Sequence, residues 1–364
     1  MDENRQPAPA GQDIDLKARC SQTAYAWARR TFDAREGKPG ALDRRLNASF
    51  ASILSIAGKR VGVTSDGIGT KVEVAERTGL YATLGYDLLA MVADDLAANG
   101  IEPTNLTNIL DVDRLDERVV DELMRGLSQA CAENGVAVAG GEIAELGRRV
   151  GGWGQGMHFN WCATAIGVLP DSLERPIDGE SCAAGDVVVA VRERGLRSNG
   201  FSLARSILEE AHGERWHEAR CPATGGSWGE ALLTPSRVCC TLVRSLVAEG
   251  VVPRGIAHVT GGGIPDKLGR VLKVARLGAT IDKPFEAPAF VQELIAMGKV
   301  PARVAWRHWN MGNAMLLVLA QSTVERALAV AARGFEAQVA GQVEAGSVIR
   351  IARAGETVVE AEVK

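Results

Sequence analysis

The chain has 364 residues, enough for about two domains with their own cores. Charged residues make up 24% and aromatic residues 5%, which is typical of a soluble globular protein and excludes a disordered or fibrous one. The net charge of −4 and the pI near 5.9 argue against nucleic acid and anionic membranes as partners, because both usually require a basic patch. Any anionic ligand must therefore be held by local groups.

The sequence shows no signal for export or membrane insertion. Residues 1–12 are polar with no apolar core, so we expect a mobile tail on a cytoplasmic protein. No apolar run approaches the length of a membrane span. The seven cysteines are scattered without a C-x-x-C pair, which indicates reduced, mostly buried thiols. His212 and His217 would diverge on a helix, so we expect neither to bind a metal.

The first predicted elements are a helix and a glycine-containing loop. Apolar and small side chains recur every three or four residues over 15–35, which predicts an amphipathic helix with a basic outer face. Residues 61–71 alternate like a strand and end Ser-Asp-Gly-Ile-Gly-Thr-Lys, a loop suited to a phosphate or metal, with Asp66 just past the strand. Because the spacing matches neither a P-loop nor a dinucleotide fingerprint, an ordinary turn is an equal alternative.

A helix predicted over residues 86–99 carries a carboxylate on its apolar face. Leu88, Val92 and Asp95 recur at helical spacing. A buried, unpaired carboxylate is costly, so Asp95 should meet a cation or hydrogen-bond donors, or have a raised pKa. The alternative is a solvated last turn in which Asp94 and Asp95 are both exposed.

The rest of the first half predicts three strands and one amphipathic helix, at residues 105–110, 136–139, 162–169 and 116–133. Glu142 directly follows the buried strand that ends at residue 139. If a parallel sheet gathered Asp66, Asp95 and Glu142, their oxygens would suit Mg²⁺ together with nucleotide phosphates. The glycine- and arginine-rich residues 147–156 predict either a flexible surface loop or a lid.

The second half follows a linker-like segment over residues 170–185, so we place two domains at 1–170 and 171–364. It opens with a buried strand over 187–191 and a helix over 201–210. Ser198 and Asn199 precede that helix and could either cap it or share its free N–H groups with an anion.

A second glycine loop precedes another predicted helix. Gly261, Gly262 and Gly263 stand before Pro265, so backbone amides there can point at a phosphate. His258 is more often a satisfied core histidine than a catalyst, and it remains a candidate acid or base. A last buried strand and a helix are predicted over 315–319 and 324–333.

Seven motifs, in chain order, resemble those of the aminoimidazole ribonucleotide synthetase family, also called phosphoribosylformylglycinamidine cyclo-ligase. The matching segments lie at residues 65–71, 85–96, 140–145, 198–203, 233–237, 258–263 and 310–312. The resemblance extends from about residue 61 to residue 319. For the first glycine loop, it favours a phosphate- or metal-binding loop over an ordinary turn.

The resemblance implies an α/β (α+β) fold with an amino-terminal domain that forms a β-barrel with a second subunit, and a carboxyl-terminal α/β domain. It implies a homodimeric ligase of purine biosynthesis that uses ATP as co-substrate with Mg²⁺. ATP would phosphorylate the formyl amide oxygen of formylglycinamidine ribonucleotide, and an amidine nitrogen would attack the activated carbon. Phosphate would then leave as the imidazole ring closes. Such a transfer depends mainly on alignment and charge neutralisation.

The resemblance also implies roles for individual residues. The expected catalytic residues are Asp66, Lys71, Asp95 and Glu142, of which Asp66, Asp95 and Glu142 would bind Mg²⁺. Phosphate or substrate would be held by Thr70, Arg197, Ser198, Asn199, Gly261, Gly262 and Gly263. Which of these groups would hold ATP and which the sugar phosphate stays open.

The chain departs from the family pattern at several positions. Arg197 stands where a histidine is common, and Asp94 stands where an asparagine is usual. Arginine stays cationic, so at this position it could only clamp phosphate. The family's early glycine-rich segment is not recognisable between residues 37 and 59, and residues 148–158 are unusual. These differences indicate a divergent member.

Three related enzymes and one different class are the alternatives. Selenophosphate synthetase needs a reactive cysteine in a glycine-rich loop, whereas Cys20 lies in a predicted helix. The hydrogenase-maturation carbamoyl dehydratase relies on a carboxyl-terminal cysteine, whereas this chain ends in Val363 and Lys364. Thiamine-monophosphate kinase stays open. So does a paralogue that binds nucleotide and dimerises without catalysis.

Overall fold

The computed structural model describes residues 14–44, 49–353 and 355–363, and the expected tail over residues 1–12 lies outside this range. Two mixed sheets with flanking helices confirm the predicted α/β architecture. A six-stranded sheet is built from strands before residue 170, and a seven-stranded sheet from strands after residue 185. No helix in the described ranges is both long and apolar enough to cross a membrane. All seven cysteines are free thiols, as predicted.

The first sheet has the strand order β1-β2-β3-β6-β4-β5. Its strands are β1 (Ala41–Leu42), β2 (Ser52–Ile56), β3 (Lys59–Gly67), β4 (Glu102–Val112), β5 (Ala137–Glu145) and β6 (Phe159–Val168). Only the β4–β5 pair is parallel within it, so the expectation of a parallel sheet is wrong for this half. The accompanying helices are α1 (Ile14–Arg29), α2 (Lys71–Thr78), α3 (Leu84–Ala97) and α4 (Glu117–Asn134).

Helix α3 lies at the centre of the molecule and positions two aspartates. It is almost entirely buried, because it packs against the first sheet on one side and against the second half of the chain on the other. Its contact with α4 depends on glycine: a Cβ on Gly126 would lie 1.8 Å from the carbonyl oxygen of Ala82, and one on Gly85 would lie 2.1 Å from the amide nitrogen of Leu127. The two helix backbones can approach this closely only without side chains.

The second sheet has the strand order β13-β12-β9-β11-β7-β10-β8. Its strands are β7 (Val187–Arg192), β8 (Gly255–His258), β9 (Leu277–Ile281), β10 (Asn313–Leu319), β11 (Ala337–Ala345), β12 (Val348–Arg353) and β13 (Glu356–Glu362). Its helices are α5 (Phe201–His212), α6 (Trp228–Leu232), α7 (Cys240–Ala248), α8 (Gly263–Leu272), α9 (Ala289–Met297), α10 (Ala302–His308) and α11 (Val324–Ala331). The unbroken apolar runs of β7 and β10 are buried, as predicted.

Two predicted elements differ from the structure. Strand β5 was expected to be buried and to end at residue 139, but it continues to Glu145 and is largely exposed because it forms the edge of its sheet. Helix α1 ends at Arg29, and its apolar side chains Leu16 and Trp27 are exposed, in contrast to the buried apolar face that an amphipathic helix usually has.

The glycine-rich loop over residues 147–156 is anchored through Trp153. The Trp153 amide donates to Glu76 Oε2 at 3.0 Å, and the Arg77 guanidinium lies 5.0 Å from the centre of the Trp153 ring. Both partners belong to the carboxyl-terminal part of α2. The loop is thus held against the end of α2 that lies farther from the Asp66 loop.

Candidate active site

Asp66 and Asp95 come together where α3 crosses β3. Asp66 is the penultimate residue of β3, and Asp95 lies in the last turn of α3. Burial raises the pKa of Asp66 to about 6, with the Gly67 amide acting against this shift and the neighbouring Asp95 adding to it. Burial also raises the pKa of Asp95 to about 7, although Lys267 and Arg270 act in the opposite direction. Two carboxylates that share one partly buried place are a typical cation site.

Asp95 has the hydrogen-bond donors that its position on the helix requires. His258 Nδ1 lies 2.7 Å from Asp95 Oδ1, and the nearby Thr64 hydroxyl also favours the charged form of this carboxylate by lowering its pKa. The Asp95 side chain is only 17% exposed, and that of Asp94 has no exposed surface. The alternative of a solvated last turn is therefore wrong. Asp94 points away from the Asp66 carboxylate and into the junction between the two halves of the chain, where it accepts from the Cys239 amide at 2.7 Å.

Two cations that the sequence analysis did not identify face this pair of aspartates. Lys267 and Arg270 lie on α8, three residues apart and therefore on one helical face. Burial lowers the pKa of Lys267 to about 8, with Arg270 acting in the same direction and Asp95 in the opposite one. The Arg270 guanidinium stacks 5.0 Å from the centre of the Phe50 ring. Their spacing just after the glycine triplet was the signal that could have identified them.

The loop before α5 leaves polar atoms free for a ligand. The residue that caps α5 is Gly200, with a φ of 80°, and no side chain caps the helix, so the capping alternative for Ser198 and Asn199 is wrong. Within the described ranges, Ser198 Oγ and Asn199 Oδ1 are buried without a hydrogen-bond partner. A Cβ on Gly69 would lie 3.8 Å from the Ser198 carbonyl oxygen, so this loop meets the first glycine loop.

The glycine triplet offers less to a phosphate than the sequence suggested. Gly262 begins α8 with a φ of 97°, but its amide donates to the Arg307 carbonyl at 3.0 Å. The Gly263 amide donates to the Thr260 carbonyl at 2.9 Å. Only the Gly261 amide makes no hydrogen bond to the described part of the chain, and a Cβ there would lie 3.4 Å from Asn199 Nδ2. Gly261 and Asn199 therefore border one space.

Lys71 and Arg197, both expected at phosphates, are directed to internal carboxylates. Neither side chain has exposed surface. Lys71 Nζ lies 2.7 Å from Asp87 Oδ2 and donates to the Thr234 carbonyl at 2.9 Å. Arg197 pairs with Asp94 at 2.7 Å. Because these charges are compensated inside the junction, neither cation reaches the space beside Asp66.

Thr70 and Glu142 lie apart from these internal pairs. Thr70 is exposed at the start of α2 and does not cap the helix. Asp66 aligns across the sheet with Asn108 of β4 and Gly141 of β5, on the face that the helices cover. Glu142 is the next residue along β5, so it points to the open face, about 14 Å from Asp66 across three strand spacings.

The two aspartates, without Glu142, still fit Mg²⁺. No group of three His, Cys, Asp or Glu side chains in residues 14–44, 49–353 and 355–363 is placed to hold a metal ion. Mg²⁺, however, is usually held by one or two carboxylates together with phosphate oxygens and water. Asp66 and Asp95 supply such a pair beside the free atoms of Ser198 and Asn199.

Comparison with known proteins defines the class. Two family models match: AIR synthase related protein, N-terminal domain, over residues 49–169, and AIR synthase related protein, C-terminal domain, over residues 183–353. The chain therefore has the two domains of an AIR synthase related protein. Within that class, the chain belongs to the phosphoribosylformylglycinamidine cyclo-ligase family, as its curated relatives show.

Two relatives illustrate the match. The phosphoribosylformylglycinamidine cyclo-ligase of Sorangium cellulosum is 39% identical over 282 residues, covering 77% of this chain and 79% of that protein. The Thermococcus kodakarensis protein of the same name is 32% identical and covers 96% of this chain and 98% of its own length. A solved thiamine-monophosphate kinase from Stenotrophomonas maltophilia aligns with a TM-score of 0.60 at 19% identity, over 84% of this chain and 89% of that one. That similarity shows a shared fold.

Proposed function

We propose that the chain closes the imidazole ring of formylglycinamidine ribonucleotide, with ATP as co-substrate, to give 5-aminoimidazole ribonucleotide. The observation that carries this proposal is the Asp66–Asp95 pair, which faces Lys267 and Arg270 at the junction of the two halves. The names of the relatives favour this substrate over thiamine monophosphate, because the kinase shares only the fold. Domains 1–170 and 171–364 would form the two walls of the site.

Each side chain has a role that follows from its contacts. Asp66 and Asp95 would hold Mg²⁺, which when bound neutralises triphosphate charge during phosphoryl transfer. Lys267 and Arg270 add positive charge opposite the two carboxylates. Ser198 Oγ, Asn199 Oδ1 and the Gly261 amide, free in the described part of the chain, would orient the ligand that enters beside them. Thr70, at the exposed start of α2, would contact phosphate from the first glycine loop.

The open face of the first sheet supports a homodimer. Strand β5 is an uncovered edge, and Ile109 and Ile166 on the open face are 48% and 42% exposed. Unpaired strand edges and exposed apolar side chains favour pairing with another chain. Strands from two copies would then form the barrel expected for the family. The free thiols support a reducing, cytoplasmic location.

Turnover of candidate substrates tests the proposed function. The purified protein would be incubated with ATP, Mg²⁺ and either formylglycinamidine ribonucleotide or thiamine monophosphate, and ADP and the aminoimidazole product would be measured. We expect ADP and aminoimidazole in equal amounts from the first substrate alone. ADP release with thiamine monophosphate would contradict the assignment. Tight ATP binding without turnover of either substrate would favour the non-catalytic paralogue.

A further inference from the structure

Arg197 lies at the centre of a buried hydrogen-bonded chain that ends on Asp95. Arg197 Nη2 lies 2.7 Å from Asp94 Oδ2 and 2.8 Å from His258 Nε2. His258 Nδ1 in turn lies 2.7 Å from Asp95 Oδ1. The side chains of Asp94, Arg197 and His258 have no exposed surface, whereas Asp95 reaches the site. The chain of contacts therefore runs from the interior to the carboxylate that the proposed function requires.

The direction of each hydrogen bond follows from the chemistry of the groups. A guanidinium has only N–H donors, so His258 Nε2 must accept from Arg197. An imidazole that accepts at Nε2 carries its proton on Nδ1, and that N–H must donate to Asp95 Oδ1. Arg197 thus selects one of the two tautomers of His258. The selected tautomer fixes one oxygen of Asp95 and leaves the other for a ligand.

The charge of Arg197 is compensated by two carboxylates. Besides Asp94, Arg197 Nη1 lies 3.0 Å from Glu193 Oε2 and donates to the Arg237 carbonyl at 2.8 Å. A buried ion pair loses stability strongly when one partner is removed, because the other charge remains unpaired. Arg197 and Asp94 are 103 residues apart along the chain and form one buried ion pair.

We propose that Arg197 is a positioning residue that acts through His258 on Asp95, and that Asp94 is its required counter-charge. The inference rests on the proposed function, because Asp95 is taken to serve the ATP site. It replaces the phosphate clamp expected from the sequence with an internal role. Arg197 touches no ligand, yet its loss alters the carboxylate that does.

Selective nitrogen-15 labelling of the histidines tests the tautomer independently of turnover. The protein has five histidines, and the His258→Gln variant identifies the His258 signals by their absence. We expect His258 Nδ1 to carry the proton and Nε2 to show the shift of an unprotonated acceptor. A proton on Nε2 would overturn the proposal. The tautomer itself is measured in the wild-type protein without substrate. The result therefore tests the positioning of His258 even if the proposed function is wrong.

A double-substitution cycle tests the coupling. Arg197→His leaves Asp94 and Glu193 without their cation, and Asp94→Asn leaves Arg197 paired with Glu193 alone. We expect each variant to lower kcat by about 10- to 100-fold with a smaller change in KM, as for other residues that orient a metal ligand. The double variant R197H/D94N removes Arg197 together with Asp94 and leaves Glu193 with its backbone donors from Arg194, Gly195 and Arg237. It should therefore have a higher kcat and a higher stability to urea than Arg197→His alone. A double variant with a kcat no higher than that of Arg197→His would contradict the proposal. A wild-type kcat in Arg197→His would also contradict it.

Discussion

At the scale of single residues, Lys71 and Asp87 form an ion pair that holds the two halves of the chain together. Their side chains lie 2.7 Å apart with no exposed surface, and Ser236 of the second half donates its backbone amide to Asp87 at 3.0 Å. We expect Lys71→Met to lower the free energy of unfolding by about 3–5 kcal/mol, because the buried Asp87 carboxyl would lose its counter-charge. Urea denaturation measures this change.

The matched control removes both charges. Lys71→Met combined with Asp87→Leu should be markedly more stable than Lys71→Met alone, since no uncompensated charge remains. The KM for ATP should stay near the wild-type value in the folded fraction. A Lys71→Met protein that is as stable as the wild type but has a strongly raised KM for ATP would instead show that Lys71 binds phosphate.

His217 is expected to make the protein less stable in acid. It is 3% exposed, and burial followed by the charge of Arg77 lowers its pKa, as does Arg215, while Glu218 acts against the shift. In the unfolded chain, His217 binds a proton below a pH of about 6.5, whereas in the folded chain it binds that proton only at a lower pH. The free energy of unfolding therefore decreases as the pH is lowered, by up to about 1.4 kcal/mol per pH unit. The free energy of unfolding between pH 7 and 5 should fall less steeply in His217→Gln. His212 is exposed, so the free energy of unfolding of His212→Gln should depend on pH as that of the wild type does. An equal pH dependence in the wild type, His217→Gln and His212→Gln would show that His217 does not cause the acid sensitivity.

At the scale of elements, we expect β5 and the open face of its sheet to form the contact between two copies of the chain. Ile166 lies on this face in the central strand β6, 42% exposed and separated from the edge strand β5 by β4. We expect Ile166→Glu to convert a dimer into a monomer, because a charge would replace apolar surface at the contact. Sedimentation velocity measures the change. Val274→Glu, also at an exposed apolar side chain but in the second half, should remain dimeric, and a dimeric Ile166→Glu protein would refute this interface.

The elements also show what sequence periodicity can and cannot predict. The helical spacing of Leu88, Val92 and Asp95 predicted the helix and placed Asp95 on its apolar face, because this spacing is set by residues within two turns of one another. The need of Asp95 for hydrogen-bond donors followed from that position. The exposure of β5 and the direction of Glu142 depend on strand order and register, which local pattern does not contain. The same holds for Arg197, whose partner Asp94 is 103 residues away.

At the scale of the whole molecule, Glu142 can serve the same Mg²⁺ as Asp95 only from a second copy, because within one chain it points to the opposite face of the sheet. Mixed dimers of Asp95→Asn and Glu142→Gln chains test this. If the site is shared, one of the two sites in each mixed dimer is intact, and a statistical mixture should recover about a quarter of wild-type activity. No recovery in verified mixed dimers would show that Glu142 has no such role.

We infer that Asp66 and Asp95 together hold the cation for phosphoryl transfer to formylglycinamidine ribonucleotide. The most direct measurement is the rate of aminoimidazole formation at saturating ATP and Mg²⁺ in Asp66→Asn, Asp95→Asn and the exposed control Asp121→Asn. We predict at least about a hundredfold loss in the first two, with native circular dichroism, and no loss in the control. Near-wild-type product formation in either Asp66→Asn or Asp95→Asn would contradict the claim.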